Sequence, residues 1–270
     1  MDAKSENAAS DQIVGLLSEP RRRRILEWIQ EEGSARVREL AEAFKVSDAT
    51  IRQDLERLES EGAITREHGG AYLNQSPPAQ ASPLMLHHQE NMDKKRRIGA
   101  LAASLVVDGE TLILDAGTTT TEIALRLVSR RHLTLITNAL NIAIHLGSVP
   151  TFAVHLPGGQ FKSPTLSISG DKSVEYFSNI FAAKLFLATA GVDLEAGLTY
   201  PSFADLQLKE AMIKAAAHVY LVADSTKIGK SSFTRLGSLD VVHSLITDSG
   251  ISDRHAREFE KRGIVVLVAE

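Results

Sequence analysis

The sequence predicts an α/β protein of two domains: a small helical unit closed by a β-hairpin, and a larger unit built on a mostly parallel sheet. Three observations carry that prediction. Residues 74–83 read NQSPPAQASP, three prolines among small polar residues, which makes a stiff, extended linker. Ahead of it, apolar residues recur at helical spacing in three short segments. Behind it, short apolar runs alternate with amphipathic stretches, as strands do when helices cover both faces of a sheet. A chain of 270 residues suits two domains. The expected boundaries are 11–73 for the first domain, 74–84 for the linker and 85–270 for the second domain.

In the first domain, residues 21–30 set Ile25, Trp28 and Ile29 on one helical face, and Gly33 stops the helix. Val37, Leu40, Ala41 and Phe44 repeat the pattern over 37–44. Ser47 is a good N-cap for a third helix over 48–61, with Asp48 favoured by the helix dipole and Gly62 as the stop. Its core stripe is Ile51, Leu55 and Leu58. Residues 63–66 and 71–73 then pair as a hairpin around Gly69 and Gly70.

The third helix has a second face, made by Ala49, Thr50, Arg52, Gln53 and Arg57, with Asp48 and Asp54 as acidic neighbours. Small residues, a hydroxyl, an amide and guanidiniums are the groups that read base edges and bind phosphates. A solvated face of a small helical domain accounts for them equally well. Charge does not decide the matter, because residues 1–75 carry 11 basic against 15 acidic residues, a net of −4. Placement is more informative. Four arginines, Arg21, Arg22, Arg23 and Arg24, open a helix where cations are disfavoured, and a DNA backbone would explain them. Arg66, His68 and Gly69 fall at the hairpin tip, where a wing would touch sugar-phosphate. The Phe44-Lys45-Val46-Ser47 connection has the spacing of a helix-turn-helix.

In the second domain a long helix is expected over 86–107, with Lys94, Lys95, Arg96 and Arg97 on a solvated or interdomain face. Seven strands are expected, over 111–114, 133–136, 151–156, 185–188, 219–223, 244–246 and 264–268. Open α/β sheets bind ligands beyond the carboxyl ends of their strands. The strongest such segment is 115–124, DAGTTTTEIA: an acid ends a strand, Gly117 permits a tight turn, and four hydroxyls precede a helix. Backbone N–H groups at that helix start and the threonine hydroxyls suit a phosphate. Helix capping alone needs one or two such residues, not four. The segment lacks the Gly-Lys-Thr ending of a Walker loop.

These motifs carry a resemblance. The run VSDATIRQDLERLESEGAITREHGGA resembles the winged helix-turn-helix of the DeoR family through Ser47, Thr50-Ile51-Arg52, Asp54-Leu55, Gly62 and His68-Gly69-Gly70-Ala71. Gln53 stands where that family usually has a second arginine. Residues 91–268 resemble the DeoR-type sensor domain, which is similar in fold to ribose-5-phosphate isomerase and glucosamine-6-phosphate deaminase. The matching positions are Lys95, Asp115 to Thr120, Thr137-Asn138, Gly158-Gly159, Gly191, Gly197-Leu198-Thr199, Lys209, Ala223 to Lys227 and Thr247-Asp248. The resemblance implies a transcription regulator, a repressor of a sugar-metabolism operon, whose operator binding a phosphorylated sugar modulates. Its DNA contacts would be Arg21, Arg22, Ser47, Ala49, Thr50, Arg52, Gln53, Arg57, Arg66, His68 and Gly69. Gly117, Thr118, Thr119, Thr120 and Thr121 would hold the phosphate. Asp115, Thr137, Asn138, Gly158, Gly159, Lys209, Asp224 and Lys227 would line the rest of the site, with Lys227 favoured over Lys209 because it lies on a strand-end loop. Double-stranded operator DNA, the phosphosugar and further copies of the chain, as a homodimer or homotetramer, are the implied partners.

Other classes are weaker. The chain has no cysteine, which removes disulfides, thiolate metal sites and a cysteine nucleophile, and its histidines show no metal-ligand spacing. No cofactor or metal is expected. No apolar run reaches a membrane span, and Met1 to Ser10 lacks the basic start and apolar core of a signal peptide, so a cytoplasmic protein is expected. A sugar-phosphate isomerase or deaminase would need a placed general base; Asp193 and Glu195 are the nominees, but no acid/base pair stands out. An actin-like sugar kinase shares the Asp-x-Gly-Thr-Thr run, yet needs two α/β lobes where the length suits one.

Overall fold

A computed structural model describes residues 18–67, 69–73, 90–163, 165–203 and 205–270. The expected linker, the hairpin-tip His68 and residues 86–89 of the expected long helix lie outside the described residues. The chain divides into two compact units, Met1–Ala81 and Ser82–Glu270.

The N-terminal unit runs α1 (Ser18–Glu32), β1 (Ser34–Arg36), α2 (Val37–Phe44), α3 (Asp48–Ser60), β2 (Ile64–Glu67) and β3 (Gly70–Leu73). The expected apolar stripes meet in one core: Ile25 and Ile29 of α1, Leu40 and Phe44 of α2, and Ile51, Leu55 and Leu58 of α3 are buried. Trp28, expected beside them, is half-buried and leans on Phe44 with ring centroids 6.4 Å apart. Ser47 caps α3, its hydroxyl accepting from the Thr50 N–H at 3.1 Å. The hairpin gains a third strand that no periodicity announced, in the order β1-β3-β2. Three residues of β1 are too few to show a repeat. Gly70 makes the pairing feasible, because a Cβ there would meet the Ala35 carbonyl oxygen at 2.6 Å.

The C-terminal unit opens with α4 (Met92–Ser104), shorter at its end than the expected helix. It continues β4 (Thr111–Leu114), α5 (Thr118–Leu127), β5 (Thr134–Thr137), α6 (Leu140–Gly147) and β6 (Ala153–His155). A small hairpin follows, β7 (Gln160–Lys162) and β8 (Ser167–Ser169), then α7 (Asp171–Phe177) and β9 (Ala182–Ala188). Next come β10 (Gly191–Asp193), β11 (Gly197–Tyr200), α8 (Leu206–Lys214), β12 (Ala216–Val222) and β13 (Thr234–Gly237). The chain closes with β14 (Ser244–Asp248), α9 (Asp253–Lys261) and β15 (Val265–Ala269). All seven expected strands join one parallel sheet, ordered β15-β14-β12-β9-β4-β5-β6. The strands β9 and β12 begin three residues earlier than expected. Their first residues are alanines with no β signature of their own, and the parallel pairing Ala216 to Ala182 holds them in the ladder.

Side chains alternate between two cores, as period 2 requires. Leu112, Leu114, Phe186, Val222 and Ile246 face Ile98 of α4, Ile123 of α5 and Ile142 of α6. Ile113, Leu185, Leu187, Leu221 and Leu245 face Phe177 of α7, Met212 of α8 and Phe259 of α9. From β4 the chain moves outward through β5 and β6, then returns to the other side of β4 and moves outward again through β9, β12, β14 and β15. The two directions part between β4 and β9. That gap is the topological switch point, where an open parallel sheet leaves a crevice beyond its carboxyl edge.

Candidate functional site

In the N-terminal unit, α3 turns Ile51, Leu55 and Leu58 inward and leaves Ala49, Arg52, Gln53 and Arg57 exposed. These four share one solvent face at helical spacing. Thr50 is half-buried, and its hydroxyl lies 2.8 Å from that of Ser47, so both hydroxyls belong to the cap. Arg52 and Arg57 pair with Asp48 at 3.8 Å and Glu61 at 2.8 Å, one helical turn away and well exposed. Such i,i+4 pairs contribute only about 0.3–0.5 kcal/mol, so a phosphate redirects these guanidiniums at little cost.

Two expectations need correction here. Asp54 does not belong to the exposed face; it is buried, 2% exposed. Arg21 is its partner, with Nε donating to Oδ2 at 2.5 Å and Nη2 to Oδ1 at 3.3 Å, and Arg22 adds Nη1 at 3.8 Å. Arg21 and Arg22 therefore have a role that does not require DNA, since they neutralise a carboxylate inside the domain, whereas Arg23 is exposed and pairs with Glu27 at 3.4 Å. Arg66 likewise ties the wing to α3, its guanidinium reaching Glu56 at 3.2 Å and Glu59 at 3.8 Å. Gly69 is exposed at the turn, with φ +87°, and its carbonyl accepts from the Val37 N–H at 2.9 Å.

In the C-terminal unit, the switch point is filled by Asp115, which is fully buried. Its Oδ1 accepts from the Ala116 N–H at 2.9 Å, and its Oδ2 from the Ala188 N–H at 3.1 Å and the Lys209 ammonium at 2.7 Å. The carboxylate thus joins the ends of β4 and β9 to α8. Lys209, expected to line the site, is 7% exposed and stands over the Tyr200 ring, 4.7 Å from the centroid. Burial opposes the charge on Lys209, but the Asp115 carboxylate together with Tyr200 and Asp205 holds the ammonium above its ordinary range.

Gly117 leads into α5 with no side-chain cap, so the first N–H groups of that helix lack helical acceptors. A Cβ on Gly117 would meet the Ala188 Cβ at 2.8 Å, so the turn packs against the end of β9. Two of the four hydroxyls are committed to the turn itself. Thr120 and Thr121 both donate back to the Gly117 carbonyl, at 2.9 and 2.8 Å, and so shape the turn. Thr119 is buried and Thr118 half-buried beside them.

The remaining expected residues divide into three groups. Thr137 and Asn138 brace the crevice wall: Thr137 Oγ1 accepts from the Ala139 N–H at 3.1 Å, and Asn138 Oδ1 from the Ala116 N–H at 3.0 Å. Gly158 and Gly159 lead into β7 and lie against the β8–α7 corner, where the Ser173 hydroxyl donates to the Gly158 carbonyl at 2.7 Å. Asp224 and Lys227 bracket a short 3-10 turn after β12, and Lys227 Nζ reaches the Thr189 carbonyl at 2.8 Å. Asp193, the nominated general base, closes the β10–β11 turn by accepting from the N–H groups of Glu195 and Ala196, both at 2.9 Å.

Several site residues had no distinguishing mark in the sequence. Tyr200 donates from its hydroxyl to the Ala188 carbonyl at 2.7 Å. Lys162 of β7 pairs with Asp205 at 3.1 Å, both largely buried. Half of the basic run of α4, expected on a solvated or interdomain face, turns into its own unit. Lys94 meets Ser225 Oγ at 2.7 Å and Asp248 at 3.2 Å, while Lys95 is 3% exposed. Burial and the neighbouring Lys227 push the Lys95 amine down to about 8, against the pull of Asp224, Glu90 and Glu122. The useful signal was helical spacing: Lys95 lies three residues before Ile98 and seven before Ala102, on the buried face. Among the described residues, no group of three or more His, Asp or Glu could hold a metal, and no helix is long and apolar enough to cross a membrane.

Comparison with known proteins agrees with this two-part architecture. The DeoR-like helix-turn-helix domain matches residues 21–77, and the DeoR C terminal sensor domain matches residues 90–249. The chain is 33% identical to the HTH-type transcriptional regulator GlpR of Haloferax volcanii over 255 residues, 93% of this chain and 98% of that protein. It is 32% identical to the glycerol-3-phosphate regulon repressor of Escherichia coli, over 83% of this chain and 88% of that protein. It is 34% identical to the lactose phosphotransferase system repressor of Streptococcus mutans, over 87% and 94% respectively. Among solved structures, ribose 5-phosphate isomerase A from Methanocaldococcus jannaschii superposes with a TM-score of 0.39 at 14% identity, covering 52% of this chain and 55% of that one, too slight a likeness to argue from. With both domains matched in order and relatives above 30% identity along most of its length, the chain belongs to the DeoR family of helix-turn-helix transcriptional regulators.

Proposed function

We propose that this regulator represses a sugar-metabolism operon and that a phosphorylated sugar, bound beyond the carboxyl edge of the parallel sheet, modulates its grip on operator DNA. Residues 11–73 hold the operator, 74–84 connect, and 85–270 sense the sugar phosphate in the cytoplasm. The observation that carries the reading is the exposed α3 face of Ala49, Arg52, Gln53 and Arg57. Two small or uncharged side chains, Ala49 and Gln53, beside two guanidiniums suit close approach to a major groove. Ser47 and Thr50 place the start of that helix, Gly69 and His68 serve the wing, and Arg21, Arg22 and Arg66 act chiefly by holding the domain together. The effector reading is supported by the start of α5, whose first N–H groups have no side-chain cap and favour an anion, and by Lys209 and Lys227 on Asp115 and the end of β9. An effector that binds the weak-DNA state more tightly lowers operator affinity by the ratio of its two affinities.

Fluorescence anisotropy on upstream DNA at fixed salt tests this. Specific binding relieved by one phosphosugar, and not by its unphosphorylated form, is the expected result. Tight binding that no phosphosugar alters sinks the sensing role. Arg52→Ala is expected to weaken operator binding by about 1–3 kcal/mol and to flatten base preference at one position.

Assembly as a homodimer or homotetramer has a matching surface. Phe181 is 91% exposed beside a groove of about 570 Å³ lined by Val174, Phe177 and Ile180, with Glu210 and Lys214 at its rim. A knob, a hole and opposite charges on one patch are self-complementary under a two-fold axis, so the occupant is a second copy of this chain. Phe181→Asp is expected to lower the sedimentation mass, and an unchanged mass removes this patch from the interface.

A further inference from the structure

The parallel sheet has two edges, and they are built differently. At one end, β6 is only three residues long, and the Tyr176 hydroxyl of α7 lies 3.1 Å from Nδ1 of its last residue, His155. At the other end, β15 runs for five residues, Val265-Val266-Leu267-Val268-Ala269, all in register with β14. A free strand edge is a row of unpaired donors and acceptors, which folded proteins usually blunt with charge, proline, a bulge or a very short strand. β15 carries no charge and no proline, its register is unbroken, and its length is ordinary. Val265 is 55% exposed and Val268 42%.

One contact fixes which peptide groups are free. The Val265 N–H donates to the His243 carbonyl at 3.1 Å, so Val265, and with it Leu267 and Ala269, turn their peptide groups toward β14. Val266 and Val268 turn theirs outward, and among the described residues no strand lies beyond them. Charge indicates what fits there. Arg262 precedes the strand and Glu270 follows it, both exposed. A second copy running antiparallel brings the acidic end of each strand to the basic start of the other, about a two-fold axis. A parallel copy in register would set like charges side by side, and its slanted ladder is not symmetric about such an axis.

We propose that β15 pairs antiparallel with β15 of a second copy of this chain, joining two parallel sheets into one. With the axis at Leu267, the outward peptide groups of Val266 exchange hydrogen bonds with those of the partner's Val268. The two Leu267 residues then face each other at the narrow, non-hydrogen-bonded spacing, about 4.5 Å between Cα atoms. Glu270 comes beside the partner's Ile264, close to the partner's Arg262. The proposal rests on assembly of the chain with itself, and it names a surface distinct from the Phe181 patch: two strands, β14 and β12, separate β15 from β9, at whose start Phe181 stands.

The chain has no cysteine, so Leu267→Cys reports on the axis without background. Mild oxidation of the full chain is expected to give a cross-linked dimer on a non-reducing gel, because cysteines at that spacing lie within disulfide range. Ile144→Cys, exposed on α6 at the far end of the sheet, is the control and should stay single. Val268→Pro removes an outward N–H and none that β14 uses, so the far-ultraviolet circular dichroism should hold while the sedimentation mass falls by about half. An unaltered mass in Val268→Pro, or cross-linking of Leu267→Cys no faster than that of Ile144→Cys, overturns the pairing. A mass that falls in Phe181→Asp but not in Val268→Pro removes this surface and leaves self-assembly standing. A monomeric unmodified chain removes both surfaces together. Should Val268→Pro fail to fold, Val268→Lys, which sets like charges diagonally across the axis, is read by the same change in mass.

Discussion

Replacing Asp54 by alanine is expected to remove about 3 kcal/mol from the stability of the N-terminal unit, and operator binding with it. The carboxylate is 2% exposed and receives two hydrogen bonds from Arg21, whose own side chain is only 11% exposed. Deleting one member of such a pair leaves an uncompensated charge indoors, which typically costs about 3–5 kcal/mol, and the slight exposure of Arg21 argues for the lower end. A small domain has only about 5–15 kcal/mol in all. The single tryptophan, Trp28, leans on Phe44 inside this unit, so its fluorescence in a urea series reports this domain and not the other. The double variant Arg21→Met, Asp54→Ala should recover much of the loss, because both charges leave together. A phosphate clamp at Arg21 makes the opposite forecast. Arg21→Met would then reduce the salt dependence of DNA binding while leaving the urea midpoint where it was.

Lys209→Met is expected to be the most damaging change in the C-terminal unit, again by about 3–5 kcal/mol. It strands Asp115, fully buried at the switch point, with only the Ala116 and Ala188 N–H groups as donors. Burial already pushes the Asp115 carboxyl up, and Lys209 is the main opposing influence. Without that ammonium the folded-state value rises further above the unfolded one, near 4. The folded state then binds a proton that the unfolded state does not. The variant should therefore gain stability as the pH falls from neutrality toward about 4, where an ion-paired carboxylate would lose it. Thermal melts at pH 5 and pH 8, followed by far-ultraviolet circular dichroism, read the slope. A variant that melts lower at pH 5 than at pH 8 would show that Asp115 stays ionised for some other reason. Asp115→Asn placed on top of Lys209→Met should restore part of the stability and flatten the pH response.

These two pairs mark the boundary of what the sequence conveys. The core of the N-terminal unit was legible because Ile51, Leu55 and Leu58 repeat within one helix, and Ser47 caps it from three residues away. The seven strands of the parallel sheet were legible because Leu, Ile and Val run almost unbroken where both faces are covered. The antiparallel sheet of β10, β11 and β13 was not, since its strands are three or four residues long and contain Gly191, Gly197 and Gly237, each of which weakens a β signal. The small hairpin of β7 and β8 escaped notice for the same reason of length.

The charged residues show the limit most clearly. The strand-end loops nominated Asp115, Asp224 and Lys227, yet Lys209 ranked below Lys227 and the α4 lysines read as a solvated or interdomain face. Lys209 and Asp115 are 94 positions apart, Lys94 and Ser225 are 131 apart, and Arg21 and Asp54 are 33 apart. The order of elements, their caps and their apolar faces are set by neighbours within a few residues, and so the sequence by itself determined them. Which charge meets which depends on the faces that packing brings together and on the water that packing removes. An arginine run reads the same in sequence whether it faces phosphate or a buried carboxylate, and only the tertiary structure decided that Arg21 turns inward while Arg52 stays outside.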